Sequence, residues 1–371
     1  MENTGQTKNG HGRYPRLTVD TEKLRSNIDE IETRCREKGV ELAGVVKGFT
    51  ALLPCAEQFE QAGCRFIASS RIEQLEKMKQ GGIKTPLMMI RIPMISEAAD
   101  VVKLADISLN SETEVLKALD VQAGIQNRVH QVILMSDLGD LREGFWGSEQ
   151  LLEAALMVEN ELENLQLAGI GTNLGCYGAV AATPEKLQEL VEQAQTIEDA
   201  IGRELEFISG GATSTLPRIL EDNLPERINL LRVGEGILLA RDLQELWGYD
   251  MGFMHKDAFT LSAEVIEVKD KPTYPVGQIM FDAFGRKPEY IDRGIRKRAL
   301  IALGKVDYSF FEDLMPREAG VTVIGASSDH TILDIEDAAR EIKVGDVIEF
   351  DVCYSNLVYI TSSDNIEKVY I

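Results

Sequence analysis

No stretch of this 371-residue chain approaches the roughly 20 consecutive apolar residues that a membrane helix requires. Basic residues are scarce as well: 39 Lys and Arg face 61 Asp and Glu, a formal net charge of -22. That balance excludes the basic face of a nucleic-acid binder and fits a soluble enzyme with a solvated acidic surface. The five cysteines (Cys35, Cys55, Cys64, Cys176 and Cys353) contain no Cys-x-x-Cys pair, which argues against a disulfide framework and for reduced thiols in a cytoplasmic compartment. The four histidines (His11, His130, His255 and His330) lack His-Glu-x-x-His or similar spacing, so no metal is expected. Residues 1–14 are polar, lack the apolar stretch of a signal peptide, and read as a flexible tail.

What is present is alternation. Short apolar or β-branched runs at 42–46, 65–69, 86–92, 106–109, 131–136, 166–172, 205–209 and 230–233 are each followed by a stretch of helical periodicity. Helix candidates at 72–80, 112–123, 148–160 and 184–202 include cap-like starts, Ser111 before Glu112 and Thr183 before Pro184. Continuous apolar strands separated by helices imply a parallel sheet covered on its outer face. Eight repeats predict a closed (β/α)8 TIM-type barrel over 15–248, with an open doubly wound sheet as the rival. Beyond residue 250, strand-like runs at 259–268, 299–303, 321–324, 347–352 and 357–360 follow one another without helices. They predict a C-terminal all-β domain over 249–371, which the early run 16–20 could join.

In a barrel, functional groups gather at the carboxyl ends of the strands. Lys47 ends the first apolar run, either reaching to solvent or facing the barrel mouth, where burial would lower its pKa and make its amine a nucleophile. Run five leads into Asp137-Leu-Gly-Asp-Leu-Arg-Glu-Gly144 and run six into Thr172-Asn173. Runs seven and eight lead into Ser209-Gly-Gly-Ala-Thr-Ser214 and Arg232-Val-Gly-Glu-Gly236. Glycine-bearing loops after strands seven and eight are where barrels commonly hold a phosphate on backbone N–H groups. A phosphate cradle facing a strand-one lysine is the arrangement that pyridoxal 5'-phosphate requires.

The order Val45-Val-Lys47, Asp-x-Gly-x-x-Arg-x-Gly, Gly-Gly-x-Thr-Ser and Arg-x-Gly resembles the alanine racemase-like, fold-type III enzymes. The segments Arg91-Ile-Pro-Met-Ile-Ser, Gly171-Thr-Asn-Leu, Gly294-Ile-Arg-Lys-Arg-Ala and Gly325-Ala-Ser-Ser-Asp-His are similar to the alanine/ornithine racemase branch, ornithine racemases above all. The resemblance runs from Arg13 onward and implies a homodimer with shared active sites. It implies that Lys47 is the Schiff-base lysine and one acid/base group, and that Arg142 approaches the cofactor's phenolic oxygen. Asn173 would lie near the ring, where alanine racemases carry a histidine. Gly211, Thr213, Ser214 and Gly234 would hold the phosphate with Tyr354, and Arg232 would face the pyridine nitrogen. A permanently charged Arg there weakens the ring as an electron sink, which suits proton removal and return at Cα. Related decarboxylases use a Glu in that role, and Glu235 keeps a decarboxylase or aldolase open as an alternative.

Racemisation needs a second acid/base on the opposite face, a tyrosine in alanine racemases. The corresponding stretch, Pro275–Gly285, offers none. Asp282 is the nearest ionisable candidate, although a turn-capping carboxylate would look the same, and Cys353 is a second one. No lysine precedes Asp137 where some alanine racemases carry a modified one; Met135 and Ser136 stand there. Ornithine's second ammonium calls for a carboxylate, Asp329 or Asp282, and its α-carboxylate for a cation, Arg298 or Arg296. Racemases of alanine or lysine remain alternatives. So does a non-catalytic vitamin B6-handling protein, against which the substantial β domain counts.

Overall fold

The computed structural model describes residues 12–371. Most of the expected N-terminal tail, with His11, lies outside the described residues. The chain divides into two compact units: 21–258, and 259–371 together with the N-terminal segment up to Asp20.

The strand β1 (Arg16–Val19) precedes the barrel. The barrel strands are β2 (Glu41–Val45), β3 (Phe66–Ser69), β4 (Leu87–Met89), β5 (Ile107–Asn110) and β6 (His130–Asp137). After the two-residue β7 (Phe145–Trp146) come β8 (Leu165–Gly171), β9 (Phe207–Ser209) and β10 (Leu230–Val233). All pair in parallel, in the order β5-β4-β3-β2-β10-β9-β8-β6, and the β5–β6 pairing closes the ring of eight. The closed barrel expected from eight strand–helix repeats is what forms. Period-2 alternation fills its interior: Ala43, Val45, Phe66, Ala68, Met88, Ile107, Leu109, Ile133, Met135, Ala168, Phe207 and Leu230 pack as one buried cluster. The intervening positions face the helices. At Gly44 a Cβ would lie 2.1 Å from the Phe59 ring, so a side chain there would displace the helix Leu53–Gln61 that carries Phe59.

The barrel unit extends to Ala258, past the expected boundary at 248, because its first helix Thr21–Glu37 grips the following segment. Asn27, buried in that helix, donates to the carbonyl oxygens of Ile237 (2.9 Å) and His255 (2.7 Å), and accepts the His255 N–H (2.7 Å). Lys23 pairs with Asp257 at 2.6 Å.

The second unit is an antiparallel sheet built on β11 (Phe259–Pro272), β12 (Ile295–Ile301), β13 (Met315–Pro316), β14 (Thr322–Ala326), β15 (Thr331–Asp334) and β16 (Val347–Asp351), in the order β13-β16-β11-β12-β15-β14. The strand β1 joins this unit, antiparallel to β11 and parallel to β17 (Glu367–Tyr370). A bulge between Val265 and Glu267 lets β11 leave β16 and continue along β12. One expected strand is instead a helix: 357–360 lies inside Tyr354–Ser362. Its buried residues, Asn356, Leu357, Ile360 and Thr361, follow the helical i, i+1, i+4, i+5 pattern, a distinction that a four-residue apolar run cannot make. Asn356 anchors it, accepting the N–H groups of Ser309 and Phe310 at 3.0 Å and donating to the Phe310 carbonyl at 2.9 Å.

Candidate active site

The carboxyl ends of the barrel strands bring together most of the residues singled out in the sequence. Lys47 opens a short 3-10 turn directly after β2. Burial pushes its ammonium pKa down, and the Arg142 guanidinium, with Arg232 behind it, pushes the same way. Glu143 and Cys176 act in the opposite direction. Lys47, half-buried, therefore shares one electrostatic neighbourhood with Arg142 and Arg232 at the barrel mouth, which favours the mouth-facing reading over the solvent-reaching one.

Arg232 projects from β10 and is only 4% exposed. Its guanidinium donates to Ser209 Oγ and, at 2.8 Å, to the Thr172 carbonyl oxygen. Both partners are neutral, and burial lowers its pKa to about 10, which leaves it charged at neutral pH. A buried cation held only by neutral oxygens is costly by several kcal/mol and is suited to an electron-rich ligand. Thr172 is itself fixed, its hydroxyl donating to the Ser136 carbonyl at 2.9 Å. Asn173 follows it, half-buried.

The two glycine-bearing loops are tied to each other. Gly211 adopts φ +119°, a left-handed conformation that favours glycine, and its carbonyl accepts the Arg232 N–H at 2.9 Å. Thr213 Oγ1 accepts the Gly236 N–H at 3.1 Å, a role that leaves its own proton to donate. Ser214 differs: its hydroxyl donates to the Leu174 carbonyl at 2.6 Å, so its single proton holds the loop after β8. Of the two loop hydroxyls among the three assigned to a phosphate from sequence, Thr213 is the one whose proton is not already donated to the Leu174 carbonyl. Gly234 starts the short helix Glu235–Leu238.

Tyr354, Asp282, Cys353, Asp329 and Arg298 belong to the other unit. Asp282 caps a turn: its Oδ1 accepts the N–H groups of Phe284 (2.9 Å) and Arg286 (2.8 Å), and the latter bond above all holds its pKa below the usual carboxylate range. Burial pushes the Cys353 thiol up; its sulfur is 3.0 Å from Ser355 Oγ. Asp329 is exposed in the turn between β14 and β15. Arg296 is committed to Asp334 and Asp337, whereas Arg298 has a buried Nε with no hydrogen-bond partner among the described residues. Tyr354 opens the helix Tyr354–Ser362.

Sequence reasoning passed over Thr172, Ser209, Asp140, Glu143 and Cys176. Asp140 and Glu143 stand inside the Asp137–Gly144 motif at positions it leaves open, so only the folded loop distinguishes them.

Comparison with known proteins bears on this geometry. Residues 19–242 match the family described as alanine racemase, N-terminal domain. The ornithine racemase of Acetoanaerobium sticklandii is 43% identical over 96% of this chain and 99% of its own length. The lysine racemase of Thermotoga maritima is 39% identical over 96% and 98%. Among solved structures, the alanine racemase of Streptomyces lavendulae superposes with a TM-score of 0.76 over 97% of this chain and 98% of its own, at 17% identity, which speaks to fold alone.

Glu235, the residue that kept lyase chemistry open, is held by the backbone of Arg241 and Asp242. It is 7% exposed, and its Oε1 accepts the N–H groups of Arg241 (2.9 Å) and Asp242 (3.2 Å), while Oε2 is buried without a partner among the described residues. Burial, aided by Asp242, raises its pKa to about 7. An acid whose folded pKa lies above its unfolded value stabilises the fold at low pH and loses that contribution as pH rises through the folded pKa. Wild-type stability should therefore fall between about pH 5 and pH 8 relative to Glu235→Gln, whose amide mimics the protonated acid. Parallel thermal melts of the two proteins across that range check it, and superimposable pH dependences would refute it.

Proposed function

Because the chain belongs to the alanine racemase family, we propose that it is a pyridoxal-phosphate-dependent amino-acid racemase acting on ornithine, with lysine as the second reading. The observation that carries the reading is the shared mouth of Lys47, Arg142 and Arg232, in which a depressed lysine faces two guanidiniums. Pyridoxal phosphate fits the residues present. Lys47 is the amine that would hold it, and Arg232 is a buried charge with only neutral partners of its own. Gly211, Thr213 and Gly234 lie on the tied loops that would receive a phosphate, with Tyr354 adding a hydroxyl in the family arrangement. Arg142 would meet the phenolic oxygen, and Asn173 would lie near the ring. When bound, the group supplies delocalisation of the electron pair released at Cα.

The chain's own residues supply the proton transfers. Lys47, with its pKa lowered by burial, moves a proton at Cα from one face. Asp282 takes the opposite face in this reading, through the carboxylate oxygen that does not cap its turn. Arg232 keeps a positive charge where a lyase would need an acid, and Glu235 is occupied in a different turn, so racemisation is favoured over carbon–carbon cleavage. Arg298, with an unpartnered Nε, would receive the substrate α-carboxylate, and Asp329 the distal ammonium. Five free cysteines fit a cytoplasmic setting, and among the described residues no helix is long and apolar enough to cross a membrane.

The homodimer is part of the same proposal. The segment between β11 and β12 exposes Val276 (93%), Phe281 (68%) and Ile291 (71%), apolar area that a second copy would cover. In sedimentation velocity the wild type should run as a dimer, and Phe281→Ser combined with Ile291→Ser should shift it toward monomer. An unchanged distribution would reject this face as the interface.

Exchange of the α-hydrogen in deuterium oxide tests the activity. L- and D-ornithine or lysine should exchange in the presence of pyridoxal phosphate, and Lys47→Ala should lose both exchange and the visible absorbance retained after desalting. Asp282→Asn should slow one enantiomer more than the other; equal mild effects remove it from the mechanism. Exchange of alanine but of neither basic amino acid sinks the substrate assignment.

A further inference from the structure

Arg142 is gripped from two sides. Its Nε and Nη2 both donate to the Glu143 carboxylate, and its Nη1 donates to Cys176 Sγ at 2.8 Å. All three guanidinium nitrogens are thus engaged, which fixes a long, otherwise mobile side chain in one orientation. The Glu143 side chain is only 16% exposed against 38% for Arg142, so the carboxylate forms the inner wall of the pair.

The two loops that supply this grip are built to bring it about. Asp137 Oδ1 accepts the N–H groups of Gly139 (2.9 Å) and Leu141 (3.1 Å) and coils the loop carrying Arg142. Asp140, 1% exposed, accepts the N–H groups of Cys176 (3.3 Å), Tyr177 (3.0 Å) and Val180 (3.2 Å), and so binds the second loop to the first. The approach is close: a Cβ on Gly178 would come within 2.6 Å of the Asp140 carbonyl oxygen. A buried carboxylate satisfied by three N–H groups of a neighbouring loop is a clamp, and what it delivers next to Arg142 is the Cys176 sulfur.

We propose that Glu143 and Cys176 are positioning residues that hold the Arg142 guanidinium in one orientation beside Lys47, with Asp140 clamping Cys176 in place for that task. The groups that act on Lys47 include Arg142, Arg232, Cys176 and the Glu143 carboxylate. Its charge thereby also offsets the two guanidiniums at the lysine. The inference rests on the racemase reading for the purpose of Arg142, but its geometry is independent of any cofactor.

The test uses the full-length protein freed of carbonyl cofactor, with two probes mapped by peptide mass spectrometry: phenylglyoxal for Arg142 and acetic anhydride for Lys47. Loss of the carboxylate charge and of one of its two acceptor oxygens in Glu143→Gln should speed modification of Arg142 by about tenfold, with a smaller rise in Cys176→Ala. Removing the Glu143 charge should also move the pH midpoint of Lys47 acylation down by about one unit. Glu143→Asp, which keeps the charge, should restore that midpoint. A purely structural role would lower the melting temperature and move neither readout. Wild-type Arg142 rates in both Glu143→Gln and Cys176→Ala, with an unmoved Lys47 midpoint, overturn the proposal. Should Glu143→Gln not fold, an unchanged Arg142 rate in Cys176→Ala overturns it alone. Failure of the protein to retain pyridoxal phosphate would count against the racemase reading and leave these two readouts standing.

Discussion

Closure of the parallel sheet is the constraint on which the rest depends. The pairing of β5 with β6 completes a ring in which every strand runs the same way, so eight carboxyl ends converge on one mouth. Residues as distant in sequence as Lys47, Arg142, Thr172, Ser209 and Arg232 meet there because each ends, or closely follows, a strand. The interior below them is filled with apolar side chains, and the mouth is therefore a floor with loops around it rather than a channel.

On that floor, positive charge dominates. Two guanidiniums and a lysine are offset by the Glu143 carboxylate, and burial strengthens each interaction relative to water. The lysine is the group that yields: an ammonium can lose its proton, whereas a guanidinium in practice does not. Unbalanced cations and a softened lysine are the physical properties expected of a site that binds an anionic carbonyl compound. They follow from where the strands end and from the arginine-bearing loops that follow them.

The loops above the floor are held by backbone hydrogen bonds to buried polar side chains. Asp140, Ser214 and Thr213 each spend oxygen atoms or protons on the carbonyl or N–H of a neighbouring loop. Such bonds commit side-chain donors and acceptors to the scaffold and leave the glycine-bearing loops with mainly backbone groups to offer. The same economy ties the Ser214 hydroxyl to the Leu174 carbonyl.

The sequence by itself determined the eight strand–helix repeats and the candidate lysine, since strand periodicity and strand-end position are local properties of the chain, while the β5–β6 pairing decided the closed barrel over an open sheet. It also carried the motifs containing Arg142 and Arg232, because glycines and charged residues at strand ends leave a readable pattern. It could not decide whether 357–360 is strand or helix, for a run that short satisfies both periods until its neighbours choose. Nor could it assign the segment 249–258, which Asn27 and Lys23 join to the barrel across the fold, with Arg34 stacked over Phe253. Tertiary structure alone decided the roles of Asp140, Glu143, Glu235 and Cys176. Their function lies in which backbone or side chain they meet, and those meetings join loops that are far apart in sequence. Lys47 is thus legible from its place after a strand, while the residues that govern its charge are legible only from the folded mouth.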